Sequence, residues 1–139
     1  MLPFDVDLKP GESPYRQVVY AATKAVVSGE LPPGAPFPSV RVLSQALKVN
    51  PNTAHKVVAE LVRAGILEVL PGVGTVVAEW GPASAEERRA LLSDEVERLL
   101  VEAKRLGLSR REVLDAVAGR WEELFGESIG TGPAGAAAS

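Results

Sequence analysis

The sequence predicts a mostly α-helical protein with one small β-hairpin and a helical extension after it. Three observations predict this. Good N-cap residues precede helix-favouring chain at Ser13, Ser39, Asn50, Ser84 and Ser109, and two of them stand before a proline at the first helical position. Between the third and fourth caps, two runs rich in β-branched residues flank a turn with two glycines. At Trp80-Gly81-Pro82 the charge balance changes, which places a boundary near residue 80. The expected organisation is a domain over 1–80, a two-helix extension over 81–126, and a disordered tail over 127–139, rich in glycine and small residues.

The first fourteen residues read as extended chain. Phe4-Asp5-Val6-Asp7-Leu8 alternates apolar and polar, the pattern of a short edge strand. Ser13-Pro14 then opens a helix whose stripe is Tyr15, Val18, Val19, Ala22, Ala25 and Val26, closed by Gly29. This helix is core. Leu31 to Pro38 holds four prolines in eight residues, which excludes helix and leaves a rigid loop with Leu31 and Phe37 as apolar plugs.

Ser39 caps the second helix, which runs to Leu47. Only Lys48-Val49 separates it from the next cap, Asn50, too short for anything but a sharp helix-turn-helix corner. The third helix has two faces. Ala54, Val57, Val58, Leu61 and Val62 repeat at buried-stripe spacing, whereas Asn52, His55, Lys56 and Arg63 form a polar and cationic face around small Ala59. Asn, Thr53, His and Lys near a helix N-terminus suit base edges and phosphates in a major groove. From Arg41 to Arg63 the chain carries Arg41, Lys48, Lys56 and Arg63 against Glu60 alone.

After Gly65, Ile66–Leu70, Pro71–Gly74 and Thr75–Glu79 read as strand, turn and strand. Three helices followed by a hairpin is the winged helix-turn-helix order, in which the hairpin is a wing beside the sugar–phosphate backbone. The glycine turn is too short for a nucleotide-binding loop, and no helix follows it directly.

Beyond the boundary, Ser84-Ala85-Glu86-Glu87 is a capping-box signature. Leu92, Val96, Leu99, Ala103 and Leu106 step by four and three, a heptad seam. Ser109 to Glu112 is a second capping box, flanked by Leu108 and Val113 at staple positions, and the last helix offers Leu114, Val117, Trp121, Leu124 and Phe125 before Gly126. Two helices cannot bury such stripes on each other alone; they need the first domain, a second copy of themselves, or both. The expectation is a homodimer through residues 84–126.

Composition narrows the function. The 139 residues include no cysteine and one histidine, so no disulfide, thiolate zinc site or metal chemistry is expected, and no cofactor. No apolar run approaches the roughly 20 residues of a membrane span, and the N-terminus has no signal-peptide pattern, so a cytoplasmic, non-membrane protein is expected. Net charge is −3, which argues against an indiscriminate nucleic-acid coat; from Gly81 onward eight basic residues meet eleven acidic ones. The acidic tail residues Asp94, Glu95, Glu97 and Glu102 lack any catalytic constellation, so no enzyme is proposed. A winged-helix protein–protein module is the alternative, but such a surface more often shows aromatic or aliphatic anchors where this chain has Asn52, His55, Lys56 and Arg63.

Pro14-Tyr15-Arg16-Gln17, Ser28 to Gly34, Pro38-Ser39-Val40-Arg41-Val42-Leu43, Val49 to Thr53, Leu61 to Leu67 and Gly72-Val73-Gly74-Thr75 together resemble the GntR family of bacterial transcription regulators. Asn-Pro-Asn-Thr at the start of the third helix and the short two-helix tail are similar to its YtrA subfamily. The resemblance implies a double-stranded DNA-binding regulator, a repressor acting as a homodimer, with ABC-transporter genes among its targets and no effector specified. It implies DNA contact at Arg41 and Ser39, at Asn50, Asn52 and Thr53, at Lys56, and at the wing-tip Gly72. His55 and Arg63 join them by position on the polar face. Lys48 stands where the family usually has glycine, and Val73 where a wing often carries Lys or Arg.

Overall fold

The computed structural model describes residues 2–79, 81 and 83–126. The chain divides into two compact units at residues 81/82.

In the first unit, α1 spans Pro14–Val27, α2 Val40–Leu47 and α3 Pro51–Arg63, followed by β1 Leu67–Leu70 and β2 Gly74–Val77. The caps act as the sequence predicts. Ser13 Oγ accepts from the Arg16 amide and Ser39 Oγ from the Val42 amide, satisfying N–H groups that the helix itself leaves unpaired. At the end of α3, Gly65 adopts φ 80 and donates to the Val62 carbonyl while Ile66 donates to Leu61, which turns the chain directly into β1. The two strands pair antiparallel, Leu67 opposite Val77 and Leu70 opposite Gly74.

The core gathers Val18, Ala22, Ala25 and Val26 from α1, Leu43 from α2, Ala54, Val57 and Leu61 from α3, and Leu67 and Val77 from the hairpin. Helix α3 packs against α1, α2 and β1, so three neighbours share its apolar stripe. Leu31 and Phe37 plug this core from the proline loop, as expected.

Phe4 to Leu8 does not form the expected edge strand. A strand needs a partner with a free ladder edge, and the free edge of β2 is taken by the proline loop. Gly34 donates to the Val77 carbonyl at 2.8 Å, Val77 to Ala35 at 2.9 Å, and Phe37 to Thr75 at 2.9 Å. The arm is held by side chains instead. The buried Phe4 ring stacks on Phe37 with centroids 5.6 Å apart, and the Gln17 side-chain amide clasps the Lys9 backbone through both its N–H and its carbonyl.

In the second unit, α4 Ala85–Arg89, a π-helical segment Ala90–Glu95 and α5 Val96–Arg105 run continuously, and α6 spans Arg110–Phe125. Both capping boxes form, Ser84 with Glu87 and Ser109 with Glu112. The heptad seam does not close. The π segment has wider turns than an α-helix and rotates Leu91 and Leu92 out of the register assumed for Val96, Leu99 and Leu106. Ala103 is the one buried residue among the described part of this unit. Along α6 of the single chain, Leu114, Val117 and Trp121 are exposed, with Leu124 and Phe125 half-buried. The staple is partial, with Val113 half-buried and Leu108 exposed. These stripes present apolar surface along the second unit. The tail expected to be disordered, 127–139, lies outside the described residues. No described helix is long and apolar enough to cross a membrane.

Leu61 is completely buried where α1, α2 and α3 meet. Leu61→Ala is expected to lower the unfolding free energy by about 2–5 kcal/mol, measured by denaturant titration. An unchanged midpoint would place Leu61 off the shared core.

Candidate nucleic-acid interface

The corner between α2 and α3 is fixed by four residues. Lys48 sits in the left-handed region at φ 56, ψ 44, a conformation that costs a non-glycine residue about 1 kcal/mol. Ser44 offsets that strain by bridging the turn: its carbonyl accepts from the Val49 amide at 3.2 Å, and its Oγ donates to the Val49 carbonyl at 2.8 Å. Asn50 Oδ1 then accepts from the Asn52 amide at 2.7 Å and starts α3.

From this start, the polar face of α3 develops as the helical period requires. Asn52, His55, Lys56, Ala59 and Arg63 are all exposed, on the side opposite buried Ala54, Val57 and Leu61. Thr53, Lys56, Ala59, Glu60 and Arg63, joined by Tyr15 of α1, line an open groove along this helix. The Arg63 guanidinium is not free in it. Its Nε donates to one Glu60 carboxylate oxygen at 2.9 Å and its Nη2 to the other at 2.6 Å, a forked pair one turn apart. Hydrogen bonding from Arg63 holds the Glu60 carboxyl below the usual carboxylate range, and the same bonds push the Arg63 guanidinium up.

The structure therefore brings Thr53, Lys56 and Arg63 into one groove, with Asn52 and His55 on the adjoining helix surface. Arg41 is exposed as the second residue of α2, the helix that packs on α3. Ser39 and Asn50 commit their side-chain oxygens to caps, which leaves Asn50 its amide N–H groups to offer a ligand. Gly72 does not line the groove. It occupies the hairpin turn at φ 77, after Pro71, with the Val73 amide donating to the Leu70 carbonyl at 3.0 Å; this is a type II turn that requires glycine there. Val73 beside it is exposed. Ser44 and Tyr15 have no site role in the sequence pattern, and Glu60 appears there only as an isolated acid. Ser44 gives no signal beyond being polar inside a helix. Tyr15 has the spacing of a core residue, but it is only half-buried and lines the groove. Glu60 was legible as an acidic residue three before Arg63, the spacing of a helical ion pair.

The profile of the bacterial regulatory proteins of the gntR family matches residues 14–77, the span from α1 to the end of β2. Relatives match about three quarters of the chain, 74% in the two cases that follow. "Uncharacterized HTH-type transcriptional regulator YhcF" of Bacillus subtilis is 35% identical over 103 residues, covering 74% of this chain and 85% of that protein. The chain belongs to the GntR family. "HTH-type transcriptional repressor YtrA" of the same organism is 30% identical over 104 residues, covering 74% of this chain and 80% of its own. Among solved structures, a transcriptional antiterminator from Listeria monocytogenes superposes with a TM-score of 0.77 over 91% of this chain and 95% of the other; at 24% identity that likeness is one of fold. As a YtrA-like GntR protein, the chain is a transcriptional regulator, and its first unit is a winged helix-turn-helix of the DNA-binding kind.

Ser44 ties the GntR corner together, so Ser44→Ala is expected to cost about 1 kcal/mol of stability by leaving the Val49 carbonyl without its donor. Thermal and denaturant melts of the two proteins measure it. Identical melts would mean that water replaces the hydroxyl at no loss.

Proposed function

We propose that this GntR protein is a sequence-specific repressor that binds a two-fold DNA operator as a homodimer. Residues 1–80 read DNA and residues 81–126 pair two copies. The carrying observation for reading is the α3 face. It is held from behind by a closed core, and it presents hydrogen-bonding Asn52 and His55 beside cationic Lys56, with Arg41 on the neighbouring helix. Asn52 has the amide geometry for the two major-groove groups of adenine, Arg41 has the fork for a guanine edge or a phosphate, and Lys56 is a point charge suited to phosphate. The relative YtrA of Bacillus subtilis, a transcriptional repressor by name, supports the sign of regulation, and a cytoplasmic location accompanies this reading.

The carrying observation for pairing is the second unit. Leu99, Leu106, Leu114 and Val117 are exposed along its helices, an arrangement that a second copy of the same surface would cover. Such a dimer presents two reading helices to two half-sites.

Selection on random duplex DNA supplies the operator, and three substitutions then separate the roles. Asn52→Ala is expected to cost roughly 1–3 kcal/mol at one operator position and to relax preference there. Lys56→Ala is expected to weaken every duplex alike and to shallow the salt dependence by about one unit of slope per half-site. Arg41→Ala follows one pattern or the other and so reports its contact. Parent-like binding by all three removes this face from the interface.

Pairing has its own test. Leu99→Asp places a charge on an exposed position and is expected to shift the full-length protein from dimer to monomer in sedimentation, with little change in helix content. A protein that stays dimeric and binds operator like the parent would exclude the α5 face.

A further inference from the structure

The groove beside α3 contains one group that opposes its function. A surface that accepts DNA phosphates gains from every uncompensated cation, yet Glu60 engages both oxygens with Arg63 in the wall of that groove. The remaining lining is suited to a phosphate. Lys56 carries a charge, and Thr53 and Tyr15 carry hydroxyls that donate to phosphate oxygens. Thr53 and Arg63 are ten residues apart, so the groove follows the helix for roughly 15 Å, the length of a short run of sugar–phosphate backbone.

We propose that Glu60 is an affinity-setting residue: by neutralising Arg63 it lowers the grip of this groove on the DNA backbone, for all sequences alike. This rests on the reading of α3 as the DNA-facing helix and adds a regulation of that site. The physical argument is counterion release. A cation that meets a phosphate releases about one condensed counterion, and log affinity changes with log salt accordingly. A guanidinium already paired with a carboxylate contributes almost no net charge to that exchange. The fork also leaves the Nη1 donors unused, so Arg63 keeps the capacity to orient a phosphate while its charge is cancelled. Both groups are charged at neutral pH, and the bonds from Arg63 hold the Glu60 carboxyl below the usual carboxylate range.

The alternative is an ion pair that only supports the last turns of α3, as exposed pairs three residues apart commonly do. The two make opposite forecasts. In the supporting role, Glu60→Gln and Arg63→Ala both remove one pair and change binding in the same direction or not at all. In the affinity-setting role their signs differ. Glu60→Gln frees a cation beside the backbone, strengthens binding to the selected duplex and to random duplex by the same factor, and steepens the salt dependence by about one unit of slope per half-site, which is roughly fourfold per half-site between 50 and 200 mM salt. Arg63→Ala leaves Glu60 facing the phosphates and weakens both duplexes. The double variant restores neutrality and returns within about twofold of the parent.

The experiment is a salt series on the full-length parent, the two single variants, the double variant and Asn52→Ala, each with a duplex recovered by selection and with random duplex. Circular dichroism melts establish that every protein is folded at the assay temperature, and Glu60→Ala repeats the key measurement with a different replacement. Opposite signs and a steeper slope for both Glu60 variants support the proposal. A parent-like slope for both, with Asn52→Ala still weakened on the selected duplex, overturns it and leaves the reading of α3 standing. Parent-like binding by every variant, Asn52→Ala included, overturns that reading, and the proposal with it.

Discussion

A helix can offer a polar face to a ligand only if its other face is anchored firmly enough to fix its rotation. In this protein that anchor is the stripe Ala54, Val57 and Leu61, fully enclosed by α1, α2 and β1. One residue of slip would turn the helix by about 100° and carry apolar Val58 and Val62 toward the surface that now shows Asn52, His55 and Lys56. The corner sets the same helix from its other end. Ser44 and Asn50 fix where α3 begins, and Lys48 accepts an unfavourable backbone conformation so that the turn can be two residues long. Packing fixes the rotation of α3 and the corner fixes its origin, so the geometry of the polar face follows from both.

The parts legible in the sequence were the ones whose cause is local. An N-cap depends on one oxygen and an amide two or three residues away, and every expected cap was found in place. The type II wing turn likewise follows from Pro71 and Gly72 alone. What the sequence misled on depended on distant partners. Phe4 to Leu8 has the alternation of a strand, but the proline loop reaches β2 first, and alternation cannot report which segment wins an edge. The tail stripes read as apolar surface that needs a partner, and in the single chain Leu99 and Val117 are exposed. Whether a surface arrives to cover Leu99 or Val117 is not encoded in their spacing, and neither is the π segment that breaks the heptad register.

The candidate site divides the same way. The polar face of α3 and the position of Arg41 were legible from the helical period and from likeness to the GntR family. The states of those side chains were not. Arg63 reads as a cation of the polar face, but the structure ties it to Glu60. Tyr15 belongs to a helix with no chemistry of its own and becomes relevant only because α1 packs against α3. Each of these is a question of what a side chain is already bonded to, which composition and spacing do not answer.

A net charge of −3 sits uneasily on a protein expected to approach a polyanion, and the distribution of charge resolves the tension. The acidic surplus lies beyond residue 80, where many carboxylates pair with arginines three or four residues along, such as Glu95 with Arg98 and Glu102 with Arg105. Along the α3 face only Glu60 is acidic, so the local field is positive although the total is not. A field of that modest size is what selectivity calls for. Backbone attraction acts on every duplex equally, so strengthening it leaves the ratio of specific to random binding unchanged while occupying more protein on random DNA. A regulator that must leave random sites quickly gains from contacts that discriminate, and loses little by keeping its phosphate contacts few.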